Sequence, residues 1–238
     1  MKFKRVLLKL SGESLLGNST SGIDPDRLND YASEIAGAFK KGLQIAIVIG
    51  GGNIFRGIQG SKQGFDRQTG DYMGMLATVI NSLALKSALE QFEVRVNLMS
   101  GIEISGLAER ANGLKAKQYL DEGNLVIFSG GTGNPYFTTD TASALRAVEI
   151  SADAMLKGTR VDGVYDDDPE KNPAAKRFNQ LTFREAYEKG LKIMDMTAFT
   201  LCEENDIPII VFNMNQKGNL VKLVNGEKIG TVVSGNSR

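Results

Sequence analysis

The sequence predicts an α/β fold with a mainly parallel central sheet and helices on both faces, arranged as a three-layer sandwich. Short apolar segments of strand length alternate along the chain with longer segments whose apolar residues recur at helical spacing. Residues 43–49 are apolar almost throughout, which is typical of a parallel strand buried on both faces. Because no internal repeat, linker or low-complexity segment interrupts the pattern, residues 1–238 are predicted to form one domain.

The first half of the chain supplies clear helix boundaries. Asp24 followed by Pro25 is a typical helix start, and Gly42 marks the end of that helix. A polar stretch without periodicity, residues 59–68, is interpreted as a surface loop that precedes a long helix. The predicted strands are residues 6–10, 43–49, 94–99 and 125–128, and the predicted helices are residues 25–42, 71–90 and 114–120.

The second half continues the alternation. The pattern after Asp140 is helical as far as Ile150. Thr182 and Glu185 form a capping box that opens a short helix, and Asp195 stands where it can cap the helix that follows it. The remaining predicted strands are residues 154–156, 207–212 and 231–234, and the remaining predicted helices are residues 183–189, 196–205 and 220–224.

Composition argues against several classes of function. Lys and Arg total 28, as do Asp and Glu, which disfavours nucleic-acid binding and suggests a small-molecule partner. With one cysteine, Cys202, and no histidine, the chain cannot build an intramolecular disulfide, a Cys/His zinc site or a Ser–His or Cys–His nucleophile. A cytoplasmic location without membrane insertion is expected, because Lys9 and Glu13 interrupt the apolar start and no uninterrupted apolar run approaches the ~18 residues of a membrane span.

Two predicted buried strands each end in a glycine-rich turn. Glycine lets backbone N–H groups approach an anion without a side chain in the way, and a helix N-terminus beyond the turn adds partial positive charge. Arg56 follows the first turn closely enough to meet phosphate oxygens. Either turn alone is equally compatible with an ordinary strand-to-helix connection, but the repetition favours phosphate binding. The glycines are Gly50, Gly51 and Gly52 in the first turn and Gly130, Gly131 and Gly133 in the second.

Four charged residues allow two interpretations on spacing alone. Lys9, near the end of the first strand, lies either on a solvated face or beside a ligand at the carboxyl edge of the sheet, and spacing favours the solvated face. Asp71 and Asp195 each stand at the start of a predicted helix, where capping is the simplest role. Asp168 belongs to an acidic run that is most simply a solvated loop.

Missing signatures narrow the chemistry. The chain lacks the P-loop pattern GxxxxGK[ST], and GxGxxG follows none of the predicted strands. Phosphoryl transfer remains compatible with a chain that has no histidine, because it depends on positioning and charge neutralisation more than on proton relay. A phosphate acceptor, with its second pKa near ~6, is largely anionic at neutral pH and needs no base.

Five segments, taken together, resemble the amino acid kinase family over nearly the whole chain. GDYMGMLAT and GTGNPYFTTD resemble the branch of the family that uses UMP as acceptor, whereas the other three resemble the wider family and imply its fold and its use of ATP. The segments are KLSGE at 9–13, GGGNIFRG at 50–57, GDYMGMLAT at 70–78, GTGNPYFTTD at 131–140 and VDGVY at 161–165.

The resemblance implies transfer of the γ-phosphoryl group of ATP, with Mg²⁺, to UMP. Lys9 would neutralise charge on the transferred group, Arg56 would hold phosphate, and Asp195 would organise the lysines and the magnesium, with no direct metal ligand assigned. Asp71 would bind the sugar hydroxyls, and Tyr165 would lie against adenine. The implied ATP site is Lys9, Leu10, Ser11, Gly12, Gly52, Arg56, Thr159, Tyr165 and Asp168, and the implied UMP site is Gly51, Asp71, Thr132, Gly133, Asn134, Pro135, Tyr136, Phe137, Thr138 and Thr139.

The resemblance also implies assembly and regulation. Bacterial members of this branch are homohexamers, activated by GTP and opposed by UTP, and a short loop of this chain matches the segment that responds to GTP. That loop is Gly17, Asn18, Ser19, Thr20, Ser21 and Gly22.

Other functions remain open from the residues alone. On the same fold the acceptor could be a carboxylate or a carbamate, against which GTGNPYFTTD argues. A non-catalytic nucleotide-binding or storage protein would keep the glycine turns but could dispense with the reactive lysine, and the presence of Lys9, Arg56 and Asp195 argues for catalysis. Nucleic-acid binding is disfavoured by the zero net charge and the lack of a basic cluster.

Overall fold

The computed structural model describes residues 3–55 and 64–235. Within them, nine strands form one sheet in the order β4-β3-β5-β2-β1-β6-β10-β11-β9, and β7 and β8 form a separate two-stranded sheet. The strands are β1 Arg5–Leu10, β2 Gln44–Ile49, β3 Val96–Ser100, β4 Glu109–Arg110, β5 Leu125–Ser129, β6 Ala154–Thr159, β7 Val164–Tyr165, β8 Arg177–Phe178, β9 Gln180–Thr182, β10 Ile209–Asn213 and β11 Thr231–Ser234. The helices are α1 Pro25–Phe39, α2 Arg67–Glu90, α3 Gly113–Asp121, α4 Thr139–Glu149, α5 Phe183–Glu188, α6 Met196–Glu204 and α7 Asn219–Val224.

The large sheet is parallel at every neighbouring pair except β10 and β11. The predicted α/β fold with a mainly parallel sheet is therefore confirmed. The short strands β4, β7, β8 and β9 were not predicted, because two or three residues carry too little alternation to be recognised in a sequence.

Side chains alternate between the two faces of the sheet, and helices cover both. On β1, Val6, Leu8 and Leu10 pack into the core that contains residues of α1, α2 and α7. Leu7 packs into the opposite core, which contains residues of α3, α4, α5 and α6. Because alternate residues of a strand share a face, Lys9 lies on the same side as Leu7, towards α4.

Helix starts follow the predicted capping chemistry. The Asp24 carboxylate accepts a hydrogen bond from the backbone N–H of Arg27 at 2.9 Å. Thr182 and Glu185 make both hydrogen bonds of the predicted capping box. Asp195 accepts from the backbone N–H of Ala198 at 2.9 Å, so its predicted capping role is confirmed.

The long helix α2 corrects one prediction. It begins at Arg67 rather than near residue 71, and its cap is Asp66, whose carboxylate accepts from the backbone N–H of Thr69 at 3.0 Å. Asp71 therefore lies inside the helix and is not its cap. Arg67 and Gln68 are helical, so the predicted surface loop 59–68 extended too far, and its residues 59–63 lie outside the described residues.

Helix α2 is also long and apolar enough to cross a membrane, judged by length and composition alone. The sequence search for an uninterrupted apolar run did not anticipate this. Half of the apolar window is buried inside the fold, where Leu85 and Leu89 join the hydrophobic core and Asn81 is fully buried. These are the features of a core helix.

Candidate active site at the carboxyl edge of the sheet

Four adjacent parallel strands, β5, β2, β1 and β6, end at one edge of the sheet. The chain leaves β1 towards β2 on one side and later returns to β6 on the other side, which creates a crevice at the carboxyl ends of the strands. Open α/β sheets bind their ligands at such points. The segments that follow these four strands contain most of the predicted site residues.

The first glycine turn, Gly50–Gly52, follows β2 and packs closely against the segment that follows β1. A Cβ atom added to Gly12 would lie 2.4 Å from the Gly50 carbonyl oxygen and 2.4 Å from the Oδ1 atom of Asn53. Lys9, Leu10, Ser11 and Gly12 are therefore brought beside this turn, as an ATP phosphate site requires. Arg56, the other residue predicted for this site, lies outside the described residues.

The second glycine turn, Gly130–Gly133, follows β5 and has a left-handed backbone at three glycines. The φ angles are 67° at Gly130, 59° at Gly131 and 84° at Gly133. This turn and the segment that continues from it hold residues 132–139 of the predicted UMP site, and the other two members, Gly51 and Asp71, lie in the first turn and in α2. Thr132 closes this loop locally, since its hydroxyl accepts from the backbone N–H of Asn134 at 3.1 Å.

Asp71 connects this loop to α2. Its carboxylate accepts a hydrogen bond from the backbone N–H of Tyr136 at 2.8 Å and pairs with Arg67 at 2.9 Å. Tyr136 itself has a left-handed backbone, with φ of 73°, and its side chain and that of Phe137 are at least half exposed. Asp71 thus lies at the loop predicted to bind UMP, and the loop presents two aromatic side chains to solvent.

A lysine pair stands at the centre of this edge. Lys9 on β1 and Lys157 on β6 are direct neighbours in the parallel register, and Asp140 lies between their ammonium groups at 2.9 and 3.0 Å. All three side chains are less than a fifth exposed. Two like charges placed opposite each other would repel, so the carboxylate is what allows both lysines to remain here.

The electrostatics of the three groups follow from burial and charge. Burial would raise the pKa of Asp140, but the ion pairs with Lys9 and Lys157 outweigh it and hold that pKa below its usual range. Burial lowers the pKa of the Lys157 ammonium, and the nearby charge of Lys9 lowers it further, against the opposing effect of Asp140. The site therefore keeps a carboxylate ionised between two cations.

Sequence reasoning named Lys9 but missed Lys157 and assigned no role to Asp140. Lys157 does carry the signal that singled out Lys9, a lysine that interrupts an apolar strand near its carboxyl end. The neighbour relation of β1 and β6 is needed to see that the two lysines share one anion. Asp140 makes the ion pairs with both lysines, and the charge of Asp195, the residue predicted to organise the lysines, also acts on Lys157 and opposes the lowering of its pKa.

Asp195 combines its helix cap with contacts to the second loop. Its carboxylate accepts from the hydroxyl of Thr138, and from the hydroxyl of Thr141 at 2.9 Å. Thr138 in turn caps α4 through its side-chain oxygen. Asp195 therefore links the start of α6 to the start of α4, next to Asp140.

A cavity of about 260 Å³ is lined by Lys157, Thr159 and Tyr165. Thr159 and Tyr165 are two of the residues predicted for the nucleoside end of ATP. The Tyr165 hydroxyl donates to Asp162 at 2.5 Å, and that carboxylate raises the pKa of the tyrosine. Asp168, also predicted for the ATP site, does not line this cavity, although the residues on either side of it in the chain, Asp167 and Pro169, do. The Asp168 carboxylate instead accepts from the backbone N–H of Glu170 at 3.0 Å.

The loop predicted to respond to GTP is attached close to the first glycine turn. Gly22 and Asn53 make two hydrogen bonds, from Gly22 N–H to the Asn53 carbonyl at 3.0 Å and from the Asn53 amide to the Gly22 carbonyl at 2.8 Å. The loop residues between Gly17 and Gly22 are exposed. The loop therefore has a fixed end at Gly22 and an open tip.

A family model with the description "Amino acid kinase family" matches residues 4–213 of the chain. The chain belongs to the amino acid kinase family. The matched range begins just before β1 and ends with β10, so every residue predicted for the ATP and UMP sites lies inside the family model. The resemblance inferred from sequence motifs is thereby confirmed.

Curated members of the family are similar to this chain over its full length. The uridylate kinase of Porphyromonas gingivalis is 59% identical, covering 99% of this chain and 98% of that protein. The uridylate kinase of Parabacteroides distasonis is 58% identical, covering 98% of both chains.

Solved structures of the family share the fold. The crystal structure of UMP kinase from Bacillus anthracis superposes with a TM-score of 0.95 at 38% identity, covering 99% of this chain and 97% of that one. The structure of UMP kinase from Ureaplasma parvum gives a TM-score of 0.92 at 40% identity, covering 98% of this chain and 100% of that one. The fold of this chain is thus the fold of those kinases.

Proposed function

We propose that this chain is a kinase that transfers the γ-phosphoryl group of ATP to UMP, giving ADP and UDP, and that it serves pyrimidine nucleotide synthesis. The observation that carries the proposal is the meeting of two glycine turns and a lysine pair at one edge of the sheet. Support also comes from full-length relatives that are named uridylate kinase.

The first glycine turn and residues 9–12 hold the ATP phosphates, and the second glycine turn with its loop holds UMP. The UMP phosphate oxygen attacks the γ-phosphorus, the bond from that phosphorus to the bridging oxygen breaks, and ADP leaves. In this proposal Lys9 and Lys157 stabilise the negative charge that the donor and acceptor phosphates share during transfer. Both ammonium groups are mostly buried, and a positive charge stabilises a phosphate more strongly where water is largely excluded. No covalent enzyme intermediate and no proton transfer are needed.

Asp140 keeps the two lysines in place, and Asp71 and Asp195 hold the acceptor loop through the backbone N–H of Tyr136 and the hydroxyl of Thr138. Tyr165 and Thr159 line the cavity that takes the adenine end. Asp168 and Arg56 complete the ATP site. The whole chain, residues 1–238, acts as one catalytic domain in the cytoplasm.

Magnesium accompanies ATP. Mg²⁺ prefers oxygen ligands and is usually held by one or two carboxylates together with substrate phosphates. Among residues 3–55 and 64–235, no group of three or more His, Cys, Asp or Glu is placed to hold a metal ion. In the proposed reaction nucleotide phosphates would hold most of the ion's coordination sites, Asp195 would organise the lysines around it, and the ion would neutralise phosphate charge.

Assembly and regulation form a finer part of the proposal. We propose a homohexamer that responds to GTP as activator and to UTP as inhibitor, with residues 17–22 as the GTP-response segment. In support, Gly22 is hydrogen-bonded to Asn53, the residue directly after the first glycine turn.

The test is release of ADP from ATP and Mg²⁺ by the purified protein, with UMP, CMP, dUMP, glutamate and carbamate supplied separately. We expect release with UMP and formation of UDP. Lys9→Ala is the matched inactive control, and its circular dichroism should equal that of the wild type. Release with glutamate or carbamate instead would assign another acceptor, and binding of both nucleotides without release would favour the binding-protein alternative.

A further inference from the structure

Helix α2 buries a short polar face within an otherwise apolar core. Thr78, Asn81 and Ser82 are between 0% and 5% exposed, although they lie in the middle of a 24-residue helix. Buried polar groups are costly unless they are hydrogen-bonded, and the side chains of Thr78 and Asn81 both have hydrogen-bond partners outside their own residue. Thr78 and Asn81 are three residues apart and share one side of the helix.

Asn81 holds the first glycine turn. Its side-chain amide donates to the Gly50 carbonyl at 2.7 Å and to the Asn53 Oδ1 atom at 2.7 Å. The Asn53 amide returns a hydrogen bond to Asn81 at 3.0 Å and donates to Gly22 at 2.8 Å. All four N–H groups of the two side-chain amides are therefore used. The Gly50 carbonyl, which would repel a phosphate, is held on α2.

Thr78 holds the second glycine turn. Its hydroxyl donates to the Met75 carbonyl at 2.6 Å, which leaves an oxygen lone pair for the backbone N–H of Gly130 at 2.8 Å. The donated bond fixes the direction of the hydroxyl, so the accepted bond fixes the position of Gly130. This contact joins α2 to the first residue of the loop proposed to hold UMP.

We propose that Thr78 and Asn81 are positioning residues that fasten the two glycine turns to one rigid helix and so set the separation of donor and acceptor phosphates. The proposal rests on the proposed kinase function. Glycine turns have no side chains of their own to brace them, and the reacting atoms of a phosphoryl transfer must be aligned at close range. Two anchors less than one helical turn apart supply that alignment.

The experiment compares Thr78→Val and Asn81→Leu, which keep size but lose the polar group, with Thr78→Ser, which restores the hydroxyl. Ser82→Ala is the control, because the Ser82 hydroxyl is buried on the same helix and has no hydrogen-bond partner among the described residues. The measurements are kcat for UDP formation, the separate dissociation constants of ATP and UMP, and the hydrogen-exchange rate of the Gly130 amide.

We expect Thr78→Val and Asn81→Leu to lower kcat about tenfold or more, while each dissociation constant changes by less than about threefold, because each turn still binds its own nucleotide. Thr78→Ser should recover most of the kcat lost in Thr78→Val, and Ser82→Ala should retain wild-type kcat. If kcat of the folded Thr78→Val protein equals that of Ser82→Ala and only stability falls, the residues are structural and the proposal is wrong.

Failure of the kinase function would be recognised separately, because the wild type itself would then form no UDP. Hydrogen exchange still decides the anchoring in that case. Rapid exchange of the Gly130 amide in Thr78→Val, with slow exchange in Thr78→Ser and Ser82→Ala, supports the anchor. Equal protection of the Gly130 amide in the wild type and in these three variants would overturn it.

Discussion

Gly51 of the first glycine turn and Gly131 of the second follow their strands in similar sequence contexts, but they need glycine for different physical reasons. Gly51 in the first turn does not have a left-handed backbone. A Cβ atom there would lie 2.7 Å from the Ala77 Cβ and 2.9 Å from the Gly74 carbonyl oxygen, so α2 leaves no space for a side chain. Gly131 in the second turn has room, with its nearest atom 3.7 Å away on Met75, but its φ of 59° is unfavourable for other residues.

This difference shows that a phosphate-binding turn can require glycine for either of two reasons: a Cβ atom would clash with a neighbouring element, or the backbone is left-handed. A space requirement involves the neighbouring element, here α2, and a substitution there forces that element to move. A conformational requirement is local and costs only the strain of one residue. The two requirements predict opposite responses to the same pair of substitutions.

The largest expected effect comes from Asp140, which follows the second turn and pairs with Lys9 beside the first. Asp140→Asn should lower the free energy of unfolding at pH 7 by about 3 kcal/mol, because it leaves two cations close together without their counter-charge. Urea denaturation of both proteins measures this. The exposed Asp121, which pairs with Arg5 at the surface, provides the control, and Asp121→Asn should have a much smaller effect.

The pH dependence of that difference tests the lowered pKa of Asp140. Because the folded pKa lies below the unfolded value, the ion pairs stabilise the protein above the usual carboxyl range and are lost as pH falls through the lowered value. The stability difference between wild type and Asp140→Asn should therefore stay constant from neutral pH to about 4 and shrink only below it. A difference that already shrinks between pH 7 and 5 would contradict the lowered pKa.

The space requirement of the first turn is tested at Gly51. Gly51→Ala should cost about 1–3 kcal/mol of stability through overpacking against α2, and Gly51→Asn should cost more because its side chain is larger. Thermal or urea denaturation gives the order of the two variants. If Gly51→Asn were more stable than Gly51→Ala, backbone conformation rather than space would require the glycine at position 51. The contrast with Gly131 would then be wrong.

The conformational requirement of the second turn is tested at Gly131. Gly131→Ala should cost about 1–2 kcal/mol, and Gly131→Asn should cost less, because Asn adopts the left-handed region more readily than Ala. The expected order is thus the reverse of that at Gly51. Equal or greater loss with Asn would mean that the space beside Met75 is smaller than the structure indicates.

The smallest expected effect has the opposite sign. Gly74 lies inside α2 with no atom within 4 Å of an added Cβ, so neither requirement applies to it. Gly74→Ala should raise the free energy of unfolding by about 0.5–1 kcal/mol, since alanine is the better helix former. A destabilised Gly74→Ala protein would show that this glycine is needed for a reason that the two turns do not illustrate.

Much of the architecture could be predicted because its signals are local. Asp24, Asp195 and the Thr182–Glu185 pair cap the helices that the sequence assigns to them. The apolar segments became the central strands, since continuous apolar runs have few other places to be buried. The start of α2 was missed, because the capping signal at Asp66 lies in a polar stretch that resembles a loop.

The sequence by itself determined the longer strands, the helix caps at Asp24, Thr182 and Asp195, and the two glycine turns, because these depend on residues close together in the chain. Only the tertiary structure decided that β5, β2, β1 and β6 are neighbours, and hence that Lys9 and Lys157 share Asp140. It likewise decided that Thr78 and Asn81 each meet one glycine turn. Strand order and side-chain contacts between distant segments are set by the packing of the whole chain, and no local pattern encodes them.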